Sequence, residues 1–138
     1  MTGGAIGVND GTSDIFVWQL ADAGAVGAPA ADTINFFGTL AATSGGDILD
    51  LRDLITGAAT TASALDNYLH FEKLGNDTIL HISSSGTYGD NNNAGLNASL
   101  NAKDVQTITF INVDLVTGFA NDQAIIADLL TKQKLITD

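Results

Sequence analysis

Aspartate carboxylates are the side chains of this chain that are best suited to chemistry. Fifteen of the 16 acidic residues are Asp, against five Lys and Arg, and the 138 residues have a net charge of -11 at pH 7. Residues 1–51 hold six of these Asp and no base. Short carboxylates in Gly-rich segments are oxygen ligands of the kind that Ca²⁺ takes, and either solvent or a bound cation relieves their mutual repulsion. The pattern therefore predicts either a solvated acidic face or a calcium site.

A degenerate repeat near the start of the chain favours calcium. Residues 7–16, GVNDGTSDIF, have Gly and Asp at spacings similar to those of the GGxGxDxUx nonapeptide of calcium-binding β-rolls. Asp10 and Asp14 are then the candidate ligands. The chain contains no EF-hand loop. A hairpin turn explains the similar letters of residues 75–77, GND, better than a second repeat does.

The sequence contains no catalytic motif. The absence of Cys excludes thiol catalysis and Cys-ligated zinc, and no GxSxG, HExxH, P-loop or GxGxxG pattern occurs. His70 and His81 are predicted to form an exposed pair across a hairpin, with only Glu72 near them as a further metal ligand. We therefore predict that the protein is not an enzyme. A small β-fold hydrolase is the alternative, which a deep pocket at either histidine would support.

Composition narrows the possible partners. A pI near 4.1 disfavours nucleic acid and anionic membranes and favours cations. No apolar run approaches the roughly 20 residues of a membrane helix, so no membrane insertion is expected, and residues 1–20 lack the pattern of a secretory signal. Residues 1–138 are predicted to form one domain, and the protein is predicted to be a monomer.

Short strands separated by turn residues are predicted for the first half of the chain. Residues 14–20, 32–37 and 47–51 are rich in β-branched, aromatic or alternating apolar residues, and Gly, Asn and Asp bound them. A single helical turn is expected over 52–55. The low-complexity stretch 57–64, GAATTASA, is expected to be a connector.

The clearest local pattern is a β-hairpin over residues 68–83. A two-residue type II′ turn at 75–76, Gly-Asn, fixes the register of its two strands. One face of the hairpin is then apolar and predicted to lie in the core: Leu69, Phe71, Leu80 and Ile82. The other face is polar and predicted to contact solvent: His70, Glu72, His81 and Ser83.

The second half of the chain is predicted to end in a helix. Residues 84–104 are expected to form a long polar loop and residues 105–113 a strand. An Asx cap at 121–122 starts a helix that ends near Lys132, and residues 134–138 add a short strand. The expected fold class is mainly β: a β-sandwich or flattened β-roll-like domain with one carboxy-terminal helix.

Six sequence blocks resemble, in this order, the carboxy-terminal target domain of type I-secreted proteins, the large repeats-in-toxin (RTX) adhesins and biofilm-associated proteins of Gram-negative bacteria. The blocks span most of the chain: DIFVWQLADAG (14–24), DTINFF (32–37), GGDILDLRDLI (45–55), NYLHFE (67–72), DTILHIS (77–83) and DQAIIADLLTKQKLITD (122–138). The resemblance implies an uncleaved export signal at the carboxyl end. It also implies export to the medium or the cell surface by an ABC transporter, a membrane-fusion protein and an outer-membrane channel.

The resemblance assigns roles to particular residues. The calcium-binding positions of related β-roll proteins match Asp32, Asn35, Asp47 and Asp50, with Asn35 where that pattern has Asp. The export signal would lie within 122–138 and be recognised through Asp122, Ile125, Ile126, Leu129, Leu130, Leu135 and Ile136. The predicted function is therefore that of a secretion-signal domain that folds outside the cell with calcium. The alternative is a calcium-stabilised structural or adhesive extracellular module, whose binding the polar loop 84–104 would serve.

Overall fold

Strands of the amino-terminal part alternate between two sheets. The computed structural model describes residues 5–6, 11–55, 60–86, 88 and 102–138. β1 (Ala5–Ile6) and β3 (Ala30–Asn35) lie parallel in a five-stranded sheet, whereas β2 (Ile15–Val17) and β4 (Ile48–Asp50) lie parallel in a three-stranded sheet. Each pair of parallel neighbours is therefore connected through a strand of the opposite sheet.

Three further strands complete the larger sheet. β5 (Leu69–Leu74) and β6 (Asp77–Ile82) pair antiparallel as a hairpin. β7 (Gln106–Ile111) then lies between β6 and β3, antiparallel to the first and parallel to the second. The strand order is β1-β3-β7-β6-β5, so β7 joins the alternating amino-terminal part to the hairpin.

The hairpin has the predicted register. Gly75 has a φ of +63°, which the first central position of a type II′ turn requires and which costs Gly nothing because it has no Cβ. Leu69 pairs with Ile82, and Phe71 pairs with Leu80. All four apolar side chains are fully buried, as predicted.

Two helices and a last strand complete the fold. The short α1 (Ala62–Leu65) precedes the hairpin, and α2 (Asp122–Thr131) follows β7. The side chain of Asn121 caps α2 by accepting a hydrogen bond of 2.9 Å from the backbone N–H of Ala124. β8 (Leu135–Ile136) pairs parallel with β4 and gives the smaller sheet the order β2-β4-β8. Neither helix among the described residues has the length and apolarity needed to cross a membrane.

The apolar core includes side chains of both sheets and of α2. The ring of Phe37 lies 4.9 Å from that of Phe110, in β7, and 6.3 Å from that of Phe16, in β2. These tilted and edge-on contacts are the arrangements that aromatic rings prefer. They join the smaller sheet to the larger one.

The structure is a mixed α/β arrangement with substantial sheet content, which confirms the sheets and the carboxy-terminal helix but not a mainly β class. The strands predicted at 14–20, 47–51, 105–113 and 134–138 are shorter in the structure, whereas β3 is as long as the predicted strand 32–37 and begins two residues earlier. Leu20–Asp22 and Ala42–Ser44 are 3₁₀ turns, and Ala62–Leu65 is helical within the expected connector, the rest of which lies largely outside the described residues. Most of the predicted loop 84–104 also lies outside them.

The polar face of the hairpin is buried, and the prediction that it contacts solvent was wrong. Its side chains are between 0% and 7% exposed: His70, Glu72, His81 and Ser83. Asp104, just before β7, and Asp122, at the start of α2, bind this face from distant parts of the chain. Both faces of the hairpin are therefore covered.

Replacement of Asn121 by Ala is expected to destabilise the domain because it removes the cap of α2. The expected loss is about 1 kcal/mol in the free energy of unfolding, measured by urea denaturation. Asn121→Ser retains an acceptor oxygen and is the matched control. Equal losses in the two variants would contradict the capping role.

Candidate functional site

Two of the carboxylates predicted to bind calcium are engaged by side-chain donors. Oδ2 of Asp32 accepts hydrogen bonds from the indole N–H of Trp18 at 2.8 Å and from the amide of Gln106 at 3.1 Å. Asp50 accepts two bonds from Arg52, at 2.9 Å and 2.6 Å. The hydrogen bonds from the Arg52 guanidinium hold the pKa of Asp50 below its usual value.

A third predicted ligand, Asp47, accepts backbone hydrogen bonds. Its Oδ1 binds the N–H of Asp14 at 3.0 Å, and its Oδ2 binds the N–H of Gly38 at 2.7 Å. Asp14 therefore contributes its backbone to this contact. Asn35, at the end of β3, lines a surface cavity instead. Asp10 lies outside the described residues.

These contacts do not fit a calcium site. Within the described ranges, no group of three or more His, Asp or Glu side chains is arranged to hold a metal ion. Asp32, Asp47 and Asp50 already accept hydrogen bonds from N–H donors, which compete with a cation for the lone pairs of these oxygens. Calcium binding stays a prediction from the resemblance.

The predicted signal segment, residues 122–138, is anchored at its start by a buried carboxylate. Oδ2 of Asp122 lies 2.8 Å from Nδ1 of His70, and Oδ1 accepts a bond of 3.0 Å from the backbone N–H of Phe71. Burial raises the pKa of Asp122, although both hydrogen bonds oppose that shift. The carboxylate also lies in the first turn of α2, where the helix dipole favours negative charge.

The apolar residues predicted to be recognised by an exporter pack into the core. Ile125, Ile126 and Leu129 of α2 are at most 2% exposed, and Leu135 of β8 is 6% exposed. Leu130 and Ile136 are half-buried. In the folded domain, therefore, most of these side chains are inaccessible to a partner.

A second buried charge, on Lys134, anchors the end of the same segment. Its Nζ donates hydrogen bonds to the backbone carbonyl oxygens of Gly38 and Asp47, the latter at 2.6 Å, and lies 4.5 Å from the centre of the Phe37 ring. The residue is 1% exposed. Burial lowers the pKa of Lys134 to about 8, against the attraction of Asp47. Lys134 thus binds the loop between β3 and β4.

A buried imidazole lies between two carboxylates under the hairpin. Nδ1 of His81 is 2.5 Å from Asp104, and Nε2 is 2.8 Å from Glu72, while the hydroxyl of Tyr88 donates to Asp104 at 2.5 Å. Burial opposes protonation of His81, but the hydrogen bonds and charges of Asp104 and Glu72 outweigh it and raise the pKa of His81 above its usual value of 6.5. Each ring nitrogen faces a carboxylate oxygen, so the protonated ring can donate a hydrogen bond to both carboxylates.

This arrangement is suited to holding a charge inside the fold. The ring of His70 lies 5.5 Å from that of His81, and both are buried.

Two surface cavities, of about 420 Å³ and 130 Å³, are lined by neither histidine. A hydrolase would require a deep pocket at His70 or His81, and neither of these two cavities is such a pocket.

Sequence reasoning missed Asp104, Tyr88 and Lys134 as parts of buried polar contacts. Each contact joins residues far apart in the chain, which local patterns do not record. Two signals were available. The polar face of the predicted hairpin holds three titratable side chains, which a second layer can cover as well as solvent can. The base-free residues 1–51 also require counter-charges from elsewhere.

Comparison of the chain with known protein families, with curated proteins and with solved structures finds no match.

The stability of the domain is expected to fall as the pH rises above 6.5, because the folded-state pKa of His81 is raised. The contribution of this group is complete below pH 6.5 and is lost as the pH passes its folded-state pKa. Thermal melts between about pH 6 and about pH 7 test the slope below the region where Lys134, whose pKa is about 8, titrates. His81→Gln should flatten it and cost about 3 kcal/mol at the acid end, because Asp104 and Glu72 lose their cation.

Lys73→Met is the matched control for His81→Gln. Lys73 forms an ion pair with Asp114 that is more than a third exposed, so the variant should keep the slope of the unmodified chain. A slope that survives in His81→Gln would show that another group causes it.

Proposed function

We propose that residues 1–138 are the carboxy-terminal targeting domain of a type I-secreted protein of a Gram-negative bacterium, with an uncleaved export signal within 122–138 and no enzymatic activity of its own. The partners in this proposal are an ABC transporter, a membrane-fusion protein and an outer-membrane channel. The protein then resides in the medium or on the cell surface.

The observation that best supports the proposal is that the segment with the proposed signal, residues 122–138, is attached to the rest of the fold through two buried side chains. Asp122 binds the hairpin, and Lys134 binds the loop between β3 and β4. The apolar side chains of Ile125, Ile126 and Leu129 are buried between these anchors. An exporter would therefore reach them only in a chain that has not yet folded.

The positions of the six blocks that resemble the target domain support the proposal that residues 1–138 form a single domain. The blocks at 14–24, 32–37 and 45–55 include β2, most of β3 and β4, and those at 67–72 and 77–83 include most of the hairpin. The last block, 122–138, is α2 with β8. All of them contribute side chains to one core.

The alternating strands support the finer part of the fold prediction. In a β-roll, successive strands lie in two opposite parallel sheets, and β1 to β4 follow that order here. We therefore propose a flattened β-roll-like amino-terminal half, to which the antiparallel hairpin and α2 are added.

Export of a fused passenger protein tests the proposal. The passenger followed by residues 1–138 should appear in the medium only in cells with the cognate transporter, and the passenger followed by 1–121 should stay inside. Export that survives deletion of 122–138 would contradict the position of the signal.

Two core substitutions separate recognition of the signal from stability of the fold. Ile126→Ala and Leu80→Ala each truncate a fully buried aliphatic side chain, at an expected cost of about 2–5 kcal/mol. Only Ile126 lies in the proposed signal. Ile126→Ala should reduce export, whereas Leu80→Ala should leave it unchanged. Equal reductions would indicate that export depends on the folded state.

A surface cavity favours one second candidate function, an adhesive module that binds glycans. The cavity has a volume of about 420 Å³ and lies at the ends of the parallel strands β3 and β7. Phe36 lines it, is 62% exposed and has a φ of +61°, which is strained for a bulky residue. Asn35, Asn112 and Leu40 also line it. An exposed aromatic ring beside uncharged amides suits the apolar face and the hydroxyl groups of a neutral sugar.

Titration of the domain with a panel of neutral monosaccharides, followed by NMR, tests this second candidate. Chemical-shift changes confined to the cavity are expected, and Phe36→Ala should abolish them. Leu74→Ala, at a residue that is 58% exposed and outside the cavity lining, is the control and should retain them. Absence of any sugar-dependent shift would remove the candidate.

A further inference from the structure

The amino-terminal part of the chain contains a cation that comes from its carboxyl end. Gly38 follows β3 and Asp47 precedes β4, and both backbone carbonyl oxygens accept hydrogen bonds from the Nζ of Lys134. The face of the Phe37 ring lies against the same ammonium. Carbonyl oxygens and an aromatic face are the groups that bind cations inside proteins.

We propose that the ammonium of Lys134 is the resident cation of the loop between β3 and β4, and that this domain folds without calcium. The proposal departs from the calcium site that the resemblance implies, and it does not depend on the proposed role in export. It concerns the same loop, because Asp47 is one of the positions that match the calcium ligands of β-roll proteins.

The contacts of the other matching carboxylates support a metal-free fold. Asp32 accepts from Trp18 and Gln106, and Asp50 accepts from the guanidinium of Arg52. The first contact joins the β3 carboxylate to the indole that follows β2, so it connects the two sheets. These N–H donors satisfy the hydrogen-bonding capacity of the buried carboxylates, which a bound metal ion would otherwise coordinate.

Glycine at position 46 lets the loop close around the ammonium. A Cβ at Gly46 would lie 1.7 Å from the carbonyl oxygen of Leu40 and 2.9 Å from Nζ of Lys134. No other residue type fits there without moving the loop. The close approach of the backbone to Lys134 therefore requires glycine at position 46, the second residue of the Gly-Gly pair before Asp47.

The charges near Lys134 agree with this role. Asp47 attracts the ammonium, and Lys132, on the same segment, repels it. Residues 1–51 contain no base of their own, so the buried cation in this loop comes from a residue that is 87 positions after Asp47. The loop between β3 and β4 consequently receives its cation only when the carboxy-terminal segment has docked.

Thermal unfolding of the full chain in EDTA and in millimolar CaCl₂ tests the proposal. The two melts of the unmodified chain should agree within about 1 °C. Lys134→Met, which replaces the charged side chain by an uncharged unbranched one that is one atom shorter, should melt many degrees lower. Lys132→Met is the matched control, because Lys132 is 41% exposed and pairs with Asp128, and it should melt close to the unmodified chain.

Two results would overturn the proposal: a rise of more than about 3 °C in the melting temperature of the unmodified chain with calcium, or a Lys134→Met variant as stable as Lys132→Met. If Lys134→Met does not fold, Lys134→Arg and Lys134→Gln take its place. The Arg variant retains the charge and should be the more stable of the two in EDTA. If Lys134 only fills space, the smaller Gln should be tolerated better than the larger Arg, and the order of stability should reverse.

Discussion

Two buried ionisable side chains, Asp122 and Lys134, join the carboxy-terminal segment to the rest of the fold. Asp122 binds the hairpin of the larger sheet, and Lys134 binds the loop between β3 and β4. A buried charge that loses its partner is strongly destabilising, so both contacts have to form together with the core. The segment 122–138 is therefore at once the proposed export signal and the part that completes the fold. Exposure of the proposed signal and integrity of the folded domain therefore exclude each other.

The large excess of Asp is distributed among several structural roles. Asp32, Asp47 and Asp50 accept hydrogen bonds that connect strands and loops, and Asp104 and Asp122 pair with histidines under the hairpin. Asp32 and Asp47, which have no base nearby in sequence, thus accept hydrogen bonds from residues that are distant in the chain. Short side chains suit this use, since an Asp oxygen stays close to the backbone that it has to reach.

Local patterns allowed part of the fold to be predicted, and long-range contacts account for the rest. The turn at Gly75 and the cap at Asn121 fixed the hairpin register and the start of α2, because turn and cap chemistry involve residues that are near one another in sequence. The burial of His81 was not predictable in that way, since its partner Asp104 lies 23 positions later, at the end of the predicted polar loop. Parallel pairing of β2 with β4 and the position of Lys134 likewise depend on residues that are tens of positions apart.

Hydrogen–deuterium exchange of the full chain tests most directly whether the signal segment is hidden for as long as the domain is folded. The account predicts that the amides of α2 exchange with the same free energy of opening as core amides of the hairpin, such as those of Leu69 and Leu80, because α2 is released only by global unfolding. Exchange of α2 through a local opening of much lower free energy, with the hairpin still protected, would contradict it.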